Sequence, residues 1–144
     1  MRRKCKLKLE NYCSRYFRHE CGGYLISDFN IKVIRDVFFL PNLSPEPQTS
    51  FFTKYEDFLL VAIQNISDRS KICGTFHSHP IWQTPSPTDF QFMKSSQQLH
   101  SQFQELSLVI APEWYFLTVA KKQRKWEYYF YDIYRYELVP LSFQ

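Results

Sequence analysis

Glycine is scarce in this sequence, and other features that would take it outside the globular class are missing. Three glycines among 144 residues argue against a loop-rich or disordered chain. No uninterrupted apolar run approaches the roughly 20 residues of a membrane-spanning helix, and no apolar signal segment follows the basic start. The sequence therefore predicts a globular protein of the cytoplasm that does not act in a membrane.

Cysteine is present, but without the spacing of a redox or metal motif. The four thiols include no C-x-x-C pair, and a cytosolic chain of this size rarely depends on disulfides. We therefore expect free thiols that pack as small hydrophobic groups. Cys21 could act as a nucleophile, although no separate base is indicated for it. The four residues are Cys5, Cys13, Cys21 and Cys73.

The composition supports one domain with a core of its own. The 144 residues are 44% hydrophobic and 19% aromatic, which suffices to bury a core without disulfide or metal staples. The formal net charge of +4 does not require a nucleic-acid partner, and we expect none. The basic segment 121–125 is interpreted as a solvated hairpin tip.

The first half of the chain predicts strands and helices in alternation. Residues 5–9 alternate apolar side chains with lysines, as in an edge strand, and residues 12–19 have helical spacing. A hairpin is predicted over residues 24–39, and the proline-rich segment 41–47 is predicted as a loop. Residues 51–66 carry one apolar face of a helix, for which Thr53 and Glu56 stand in capping-box positions.

The second half predicts one helix and further strands. The helix runs from Ser86 to near His100, which is interpreted as a solvated helix end without a role. Strands are predicted over residues 106–110 and 115–120, and from Trp126 onward. The run 126–136 has seven aromatic residues among eleven, which indicates either a protein interface or packing against a helix.

Residues 77–89 carry the pattern that points most directly to chemistry. His77 and His79 follow the apolar run 72–76, so a strand there projects both imidazoles from one face, spaced to hold one ion. Asp89 is the candidate third ligand. Three nitrogen and oxygen ligands leave a fourth tetrahedral position for water, which is typical of a catalytic zinc site.

Each half of this pattern also has a simpler interpretation. Ser86 to Asp89 form a good helix start, with serine at the N-cap, proline at the first helical position and an acid in the first turn. A His-x-His pair alone is weak evidence for a metal. The two halves support each other, because a helix that begins at Ser86 turns its first side chains toward the loop that carries the histidines.

A hydrolase also needs a general base, for which Glu20 is the candidate. It precedes Gly22 and Gly23, which permit the backbone to leave a helix and enter a strand at close quarters. His19 is a rival base of lower rank, because a helical neighbour of Glu20 points about 100° away around the axis.

Three segments together resemble a known family. Residues 20–25 (Glu-Cys-Gly-Gly-Tyr-Leu), 77–80 (His-Ser-His-Pro) and 86–89 (Ser-Pro-Thr-Asp) are similar to the motifs of the JAMM metallopeptidases, also called MPN-plus or JAB-domain proteins. The elements around the motifs come in the family's order, so the resemblance covers roughly residues 4–138. It implies a single α/β domain over residues 1–144, with a mixed, curved central β-sheet flanked by helices, the JAB/MPN or cytidine-deaminase-like architecture.

The resemblance also implies a role for each motif residue. His77, His79 and Asp89 would bind one zinc ion per chain, Glu20 would accept a proton from the metal-bound water, and Ser86 would steady the tetrahedral oxyanion. The chain departs from the family in the loop 80–85, which is one residue shorter than usual. The Ser-x-x-Asp register is kept, so the departure concerns how a substrate strand lies over residues 81–83.

The implied function is a zinc-dependent peptidase or isopeptidase that cleaves after the C-terminal tail of a ubiquitin-like protein. The small size resembles prokaryotic JAB peptidases, some of which accompany E1-like and E2-like proteins in antiphage operons. One alternative is the trimming of a sulfur-carrier protein to free its C-terminal glycine. A second alternative is a non-catalytic MPN scaffold, although such members lack the metal ligands and the glutamate that this sequence has.

Overall fold

The computed structural model describes residues 1–16, 18–30, 33–67, 69–80 and 87–144, and of residues 87–90 it describes the backbone. Three helices and six strands follow one another along these residues. They are α1 (Arg3–Arg15), β1 (Gly22–Asp28), β2 (Ile34–Leu40), α2 (Tyr55–Asn65), β3 (Ser70–His79), α3 (Pro87–Phe103), β4 (Ile110–Lys122), β5 (Lys125–Asp132) and β6 (Glu137–Leu138).

The strands form one open, mixed sheet in the order β2-β1-β3-β4-β5-β6. Among the described strands, β3 and β4 alone pair in parallel, and the other neighbours are antiparallel. A parallel pair needs a crossover connection, which α3 supplies between β3 and β4. The predicted α/β class with a mixed sheet flanked by helices is confirmed.

Helices cover both faces of this sheet. On one face, α1 packs Cys5, Leu9 and Cys13 against strand residues that include Phe76 and Leu117. On the other face, α2 and α3 cover a second apolar cluster. Its members from these helices and from the strands include Leu59, Ala62, Met93, Leu99, Tyr24, Ile72, Trp114 and Phe116.

Residues 5–9, which the sequence predicts as a strand, belong to helix α1. Cys5, Leu9 and Cys13 are spaced by four residues and form one buried stripe, whereas Leu7 is 60% exposed. Alternation would have buried Leu7 with its neighbours, so the strand prediction is wrong. Leu9 is completely buried, which contributes about 1.5–3 kcal/mol to stability. A helix allows this burial because it places Leu9 on the same face as Cys5 and Cys13.

The helix predicted over residues 51–66 is confirmed as α2, but its capping box is not. The N-cap is Lys54, whose side chain makes no capping hydrogen bond. Thr53 Oγ1 is buried and has no hydrogen-bond partner among the described residues. The hydroxyl of Tyr24 instead donates to the carbonyl of Tyr55 at 2.6 Å, which fixes the start of the helix against the sheet.

A separate strand over residues 106–110 is also wrong. The backbone N–H groups of Val109 and Ile110 donate to the carbonyl of Leu106 at 3.0 and 2.8 Å, so this segment turns. Leu108 is 86% exposed. Only Ile110 joins the sheet, as the first residue of β4, which then includes the predicted strand 115–120.

His100 overturns its interpretation as a solvated helix end. The side chain is fully buried in α3, which continues to Phe103. Its Nε2 lies 2.8 Å from the carbonyl oxygen of Ala111, its Nδ1 is hydrogen-bonded to the hydroxyl of Tyr134, and its ring stacks on Trp114. Apolar spacing could not reveal this, because a polar side chain with both nitrogens satisfied can be buried.

The aromatic run 126–136 is divided between the two faces of β5. Trp126, Tyr128 and Phe130 pack with the α1 cluster, and Tyr128 also donates a hydrogen bond to Glu10 of that helix. Packing against a helix thus accounts for part of the run, as one interpretation predicted. The basic segment 121–125 does form the tip between β4 and β5.

Two further expectations from the sequence concern the cysteines and membrane-spanning helices. The four cysteines are free and buried, as expected. Among the described residues, no helix is long and apolar enough to cross a membrane.

Candidate metal centre

The two histidines lie at the end of β3, and their side chains project from the same face because they are two residues apart in a strand. β1 pairs antiparallel with β3, and the register places Gly22 opposite His77. The chain that leads into β1 therefore passes beside the imidazoles. Glu20 lies in this lead, so the pairing of two strands brings it next to His77 and His79.

Glu20, His77 and His79 form a compact buried cluster. Nε2 of His77 lies 2.8 Å from Nε2 of His79, and Nε2 of His79 lies 3.9 Å from Oε1 of Glu20. One ligand atom from each residue lies within 4.8 Å of the others. The exposed fractions are only 7%, 5% and 8%. This Glu–His–His cluster could bind a metal ion.

The donor set fits a transition metal such as zinc. Imidazole nitrogen and carboxylate oxygen are accepted zinc ligands. Two nitrogen ligands of one tetrahedral zinc stand about 3.3 Å apart, given Zn–N bonds of about 2.0–2.1 Å. The 2.8 Å between the two imidazole nitrogens is close to this spacing, so a small rotation of either ring suffices to accept an ion.

Asp89 and Ser86 complete the set that the sequence predicts. Asp89 is the third residue of α3, so its backbone belongs to the helix expected there, but its side chain lies outside the described residues. Ser86 and the shortened loop, apart from Pro80, also lie outside them. The assignments of Asp89 as a ligand and of Ser86 as an oxyanion donor stay predictions.

At Gly22, next to the cluster, neighbouring atoms lie too close to the backbone to admit a side chain. A Cβ on this residue would lie 2.5 Å from Cε1 of Phe51 and 2.7 Å from the carbonyl oxygen of Phe76. The approach of β1 to β3 at this point leaves no room for a side chain, because real Cβ contacts are longer. The expectation of a close backbone passage at the two glycines is thus supported at Gly22.

Ser78 anchors the segment before β1 from the opposite face. It lies between the two histidines, so strand alternation turns its side chain away from the cluster. The backbone N–H of Cys21 donates to Ser78 Oγ at 2.8 Å, and the N–H of Ser78 donates to the carbonyl of Cys21 at 2.7 Å. Sequence reasoning missed this contact, although the placement of serine between the histidines was a usable signal.

Cys21 is not arranged as a nucleophile for this site. Its side chain belongs to the cluster beneath α1 and is hydrogen-bonded to Cys13. This hydrogen bond holds the pKa of the Cys21 thiol below its ordinary value, against the effect of burial. Because Cys21 belongs to the cluster beneath α1, its sulfur lies on the α1 side of the sheet, whereas the Glu–His–His cluster lies on the opposite side.

The helix that was expected to deliver Glu20 ends earlier than expected. α1 stops at Arg15, so the angular argument that separated His19 from Glu20 around a helix axis does not apply. The structure separates them differently, because His19 is exposed and Glu20 is buried next to His79.

Aromatic side chains and a cavity flank the cluster. The ring of His77 lies 5.0 Å from that of Phe116 and 5.8 Å from that of Phe92, between centroids. Both phenylalanines also line a cavity of about 370 Å³ between the start of α2 and α3. The cavity therefore adjoins the candidate metal centre, and Thr53, with its buried hydroxyl, belongs to its wall.

Comparison with known proteins bears on the fold. No family model matches the chain, and no curated protein matches it significantly. A protein of Desulfitobacterium hafniense solved in solution matches with a TM-score of 0.61 and 18% identity, over 91% of this chain and 83% of that one. A JAB1/MPN domain protein of Archaeoglobus fulgidus matches with a TM-score of 0.58 and 17% identity, over 99% and 95%. The chain has a JAB1/MPN-like fold.

This result confirms the architecture that the resemblance implied. In the JAB1/MPN-like fold of this chain, the Glu–His–His cluster lies where the end of β3 meets the lead into β1. At identities of 17–18% the likeness concerns the fold, and chemistry has to be argued from the site itself.

Proposed function

We propose that this protein is a zinc-dependent peptidase or isopeptidase that cleaves after the C-terminal tail of a ubiquitin-like protein. The observation that carries the proposal is the buried Glu–His–His cluster, with its ligand atoms within 4.8 Å of one another. It lies in a JAB1/MPN-like fold, and both histidines and the glutamate match the motifs of the catalytic family.

His77 and His79 would hold the zinc ion together with Asp89. Bound zinc supplies a hydroxide nucleophile at neutral pH and polarises a carbonyl, since it lowers the pKa of its water to about 7. The imidazoles must be neutral to ligate the ion, so metal binding is linked to pH.

Glu20 is the proposed proton carrier. Its Oε1 lies 3.9 Å from Nε2 of His79, which is beyond a direct hydrogen bond but faces the same space as the two imidazoles. A carboxylate there can take a proton from the nucleophile and deliver it to the departing amine, as one general acid and base. Ser86 would donate its hydroxyl to the oxyanion of the tetrahedral intermediate.

The burial of the cluster supports a substrate that has small residues next to the scissile bond. Exposed fractions of 5–8% for its three residues leave little room for side chains next to the scissile bond. A tail that ends in Gly-Gly has no Cβ there, so its backbone can approach closely. The adjoining cavity of about 370 Å³ offers space for larger side chains farther from the cut.

The test is cleavage of a ubiquitin-like fusion whose tail ends in Gly-Gly. The variant is Glu20→Gln, and the matched control is Glu105→Gln, since Glu105 is an exposed acid after α3. We expect the control to match the wild type and Glu20→Gln to lose roughly 10²–10⁴-fold in kcat, with unchanged metal content by elemental analysis.

Three other outcomes would contradict either the catalytic activity or the role of Glu20. A wild-type protein that contains zinc and binds the fusion without cleaving it is a scaffold. Wild-type turnover in Glu20→Gln makes Glu20 the wrong base, and loss of zinc from that variant makes it a ligand.

A further inference from the structure

We propose that Asn42 is a positioning residue that holds Glu20 against the two histidines. The inference rests on the proposed function, because it concerns the residue to which that function assigns the proton transfer. Asn42 belongs to the segment 41–53, which connects β2 to α2 and passes over the lead into β1.

The backbone of Glu20 is hydrogen-bonded to this segment. It lies before the first paired residue of β1, so no strand ladder fixes its backbone. Its N–H donates to the carbonyl of Pro47 at 2.7 Å, and its carbonyl accepts a hydrogen bond from Nδ2 of Asn42 at 3.0 Å. Both backbone polar groups of Glu20 therefore depend on the shape of segment 41–53.

Asn42 also determines that shape. Nδ2 donates to the carbonyl of Ser50 at 2.9 Å, with a longer contact of 3.4 Å to the carbonyl of Pro47. Oδ1 accepts from the backbone N–H groups of Ser44 at 3.0 Å and Phe52 at 3.2 Å. One carboxamide thus ties together both ends of the segment and the residue that carries the proposed base.

This pattern requires a carboxamide. An asparagine side chain offers two N–H donors and one oxygen with two lone pairs, which the contacts use on both sides. Aspartate has the same shape and keeps the acceptors, but it loses the donors and turns a negative charge toward the carbonyls of Glu20 and Ser50. The substitution therefore loosens Glu20 without removing volume.

The experiment compares Asn42→Asp with Asn65→Asp. Asn65 is the matched control, because its Nδ2 donates to the carbonyl of Val61 at 2.7 Å at the exposed end of α2. The first readout needs neither metal nor substrate. Amide hydrogen exchange of Glu20, followed by NMR in the metal-free protein, should accelerate roughly tenfold or more in Asn42→Asp, and the β1 and β3 ladder amides should stay protected.

The second readout is cleavage of the Gly-Gly fusion by the zinc-loaded protein. We expect kcat to fall roughly tenfold or more in Asn42→Asp with KM within about threefold of the wild type, because orientation of the base is lost and not substrate binding. Asn65→Asp should match the wild type in both readouts.

Each contrary result has one meaning. Unchanged kcat, or unchanged exchange of the Glu20 amide, overturns the positioning role, and so does faster exchange throughout β1 and β3, which marks general loosening. If the wild type does not cleave the fusion, the proposed function fails, while the Glu20 amide still decides the role of Asn42. If Asn42→Asp does not fold, Asn42→Ser, a neutral change that shortens the side chain, is measured with the same expectations.

Discussion

Cys21 and Ser78 exchange two hydrogen bonds across the junction between β1 and β3. The N–H of Cys21 donates to Ser78 Oγ at 2.8 Å, and the N–H of Ser78 donates to the carbonyl of Cys21 at 2.7 Å. Each residue is the chain neighbour of a cluster member. The exchange therefore ties the residue after Glu20 to the residue between His77 and His79.

Ser78→Ala should destabilise the protein by about 1–3 kcal/mol, because it leaves the buried N–H of Cys21 without its acceptor. The measurement is urea denaturation. Ser27→Ala is the control, since Ser27 is equally buried in β1 and donates a longer hydrogen bond of 3.3 Å to the carbonyl of Lys71. Equal losses in the two variants would show that the contact has no special weight.

Purified protein should contain about one zinc ion per chain by elemental analysis. His77→Ala and Asp89→Ala should each lower the occupancy, because two remaining protein ligands hold zinc poorly. His19→Ala is the matched control, since His19 is exposed. Full occupancy in both ligand variants would refute the assignment, and full occupancy in Asp89→Ala alone would point to Glu20 as the third ligand.

A bulky residue in place of the glycine before the scissile bond should lower kcat/KM by about tenfold or more, or about 1.4 kcal/mol of transition-state stabilisation. The proposed reason is that the Glu–His–His cluster is buried, so a tail without a Cβ next to the cut can bring its backbone closer to it. The measurement is a series of fusions with Gly, Leu and Phe at that position. Similar rates across the series would exclude selection for a ubiquitin-like tail.

Stability should fall as the pH decreases below about 6.5, in part because of His100. Burial lowers the pKa of this side chain in the folded protein, although its contact with the carbonyl of Ala111 opposes the shift. The unfolded chain then binds the proton more readily than the folded one. The contribution of neutral His100 is complete above the unfolded pKa and is lost as the pH falls toward the folded pKa.

His100→Gln tests this linkage, because glutamine stays neutral at both pH values. The variant should be less stable than the wild type at pH 7.5, by about 1–3 kcal/mol for imperfectly replaced buried hydrogen bonds. The difference should shrink at pH 5.5. Thermal unfolding at the two pH values gives the answer, and a constant difference would mean that His100 does not titrate in this range.

The sequence predicted the fold and the cluster where spacing and chemistry agree. His77 and His79 alternate on a strand that an apolar run announces, and Glu20 stands before two glycines that mark a close passage. Those signals are local in sequence. Their meeting follows from the antiparallel pairing of β1 with β3, which a hydrophobic pattern alone does not specify.

The wrong strand prediction and the missed role of Asn42 have the same physical cause, which is that both depend on tertiary contacts. Residues 5–9 alternate like a strand, but the stripe of Cys5, Leu9 and Cys13 buries more surface as a helix against the sheet. Asn42 gave no signal because a loop asparagine is usually a turn former, and its partners become neighbours only in three dimensions. Propensity describes a residue alone, and these outcomes depend on tertiary contacts.

The pairing of β1 with β3 has a kinetic consequence. Cys21 and Ser78 are separated by 57 residues, and closing a loop of that length costs about 3.6 kcal/mol of chain entropy beyond a constant. The two histidines are already neighbours in the unfolded chain and can capture an ion before this loop closes. We therefore expect zinc to bind a refolding chain weakly at first and more tightly when the strands meet, so that metal affinity reports the pairing of β1 with β3.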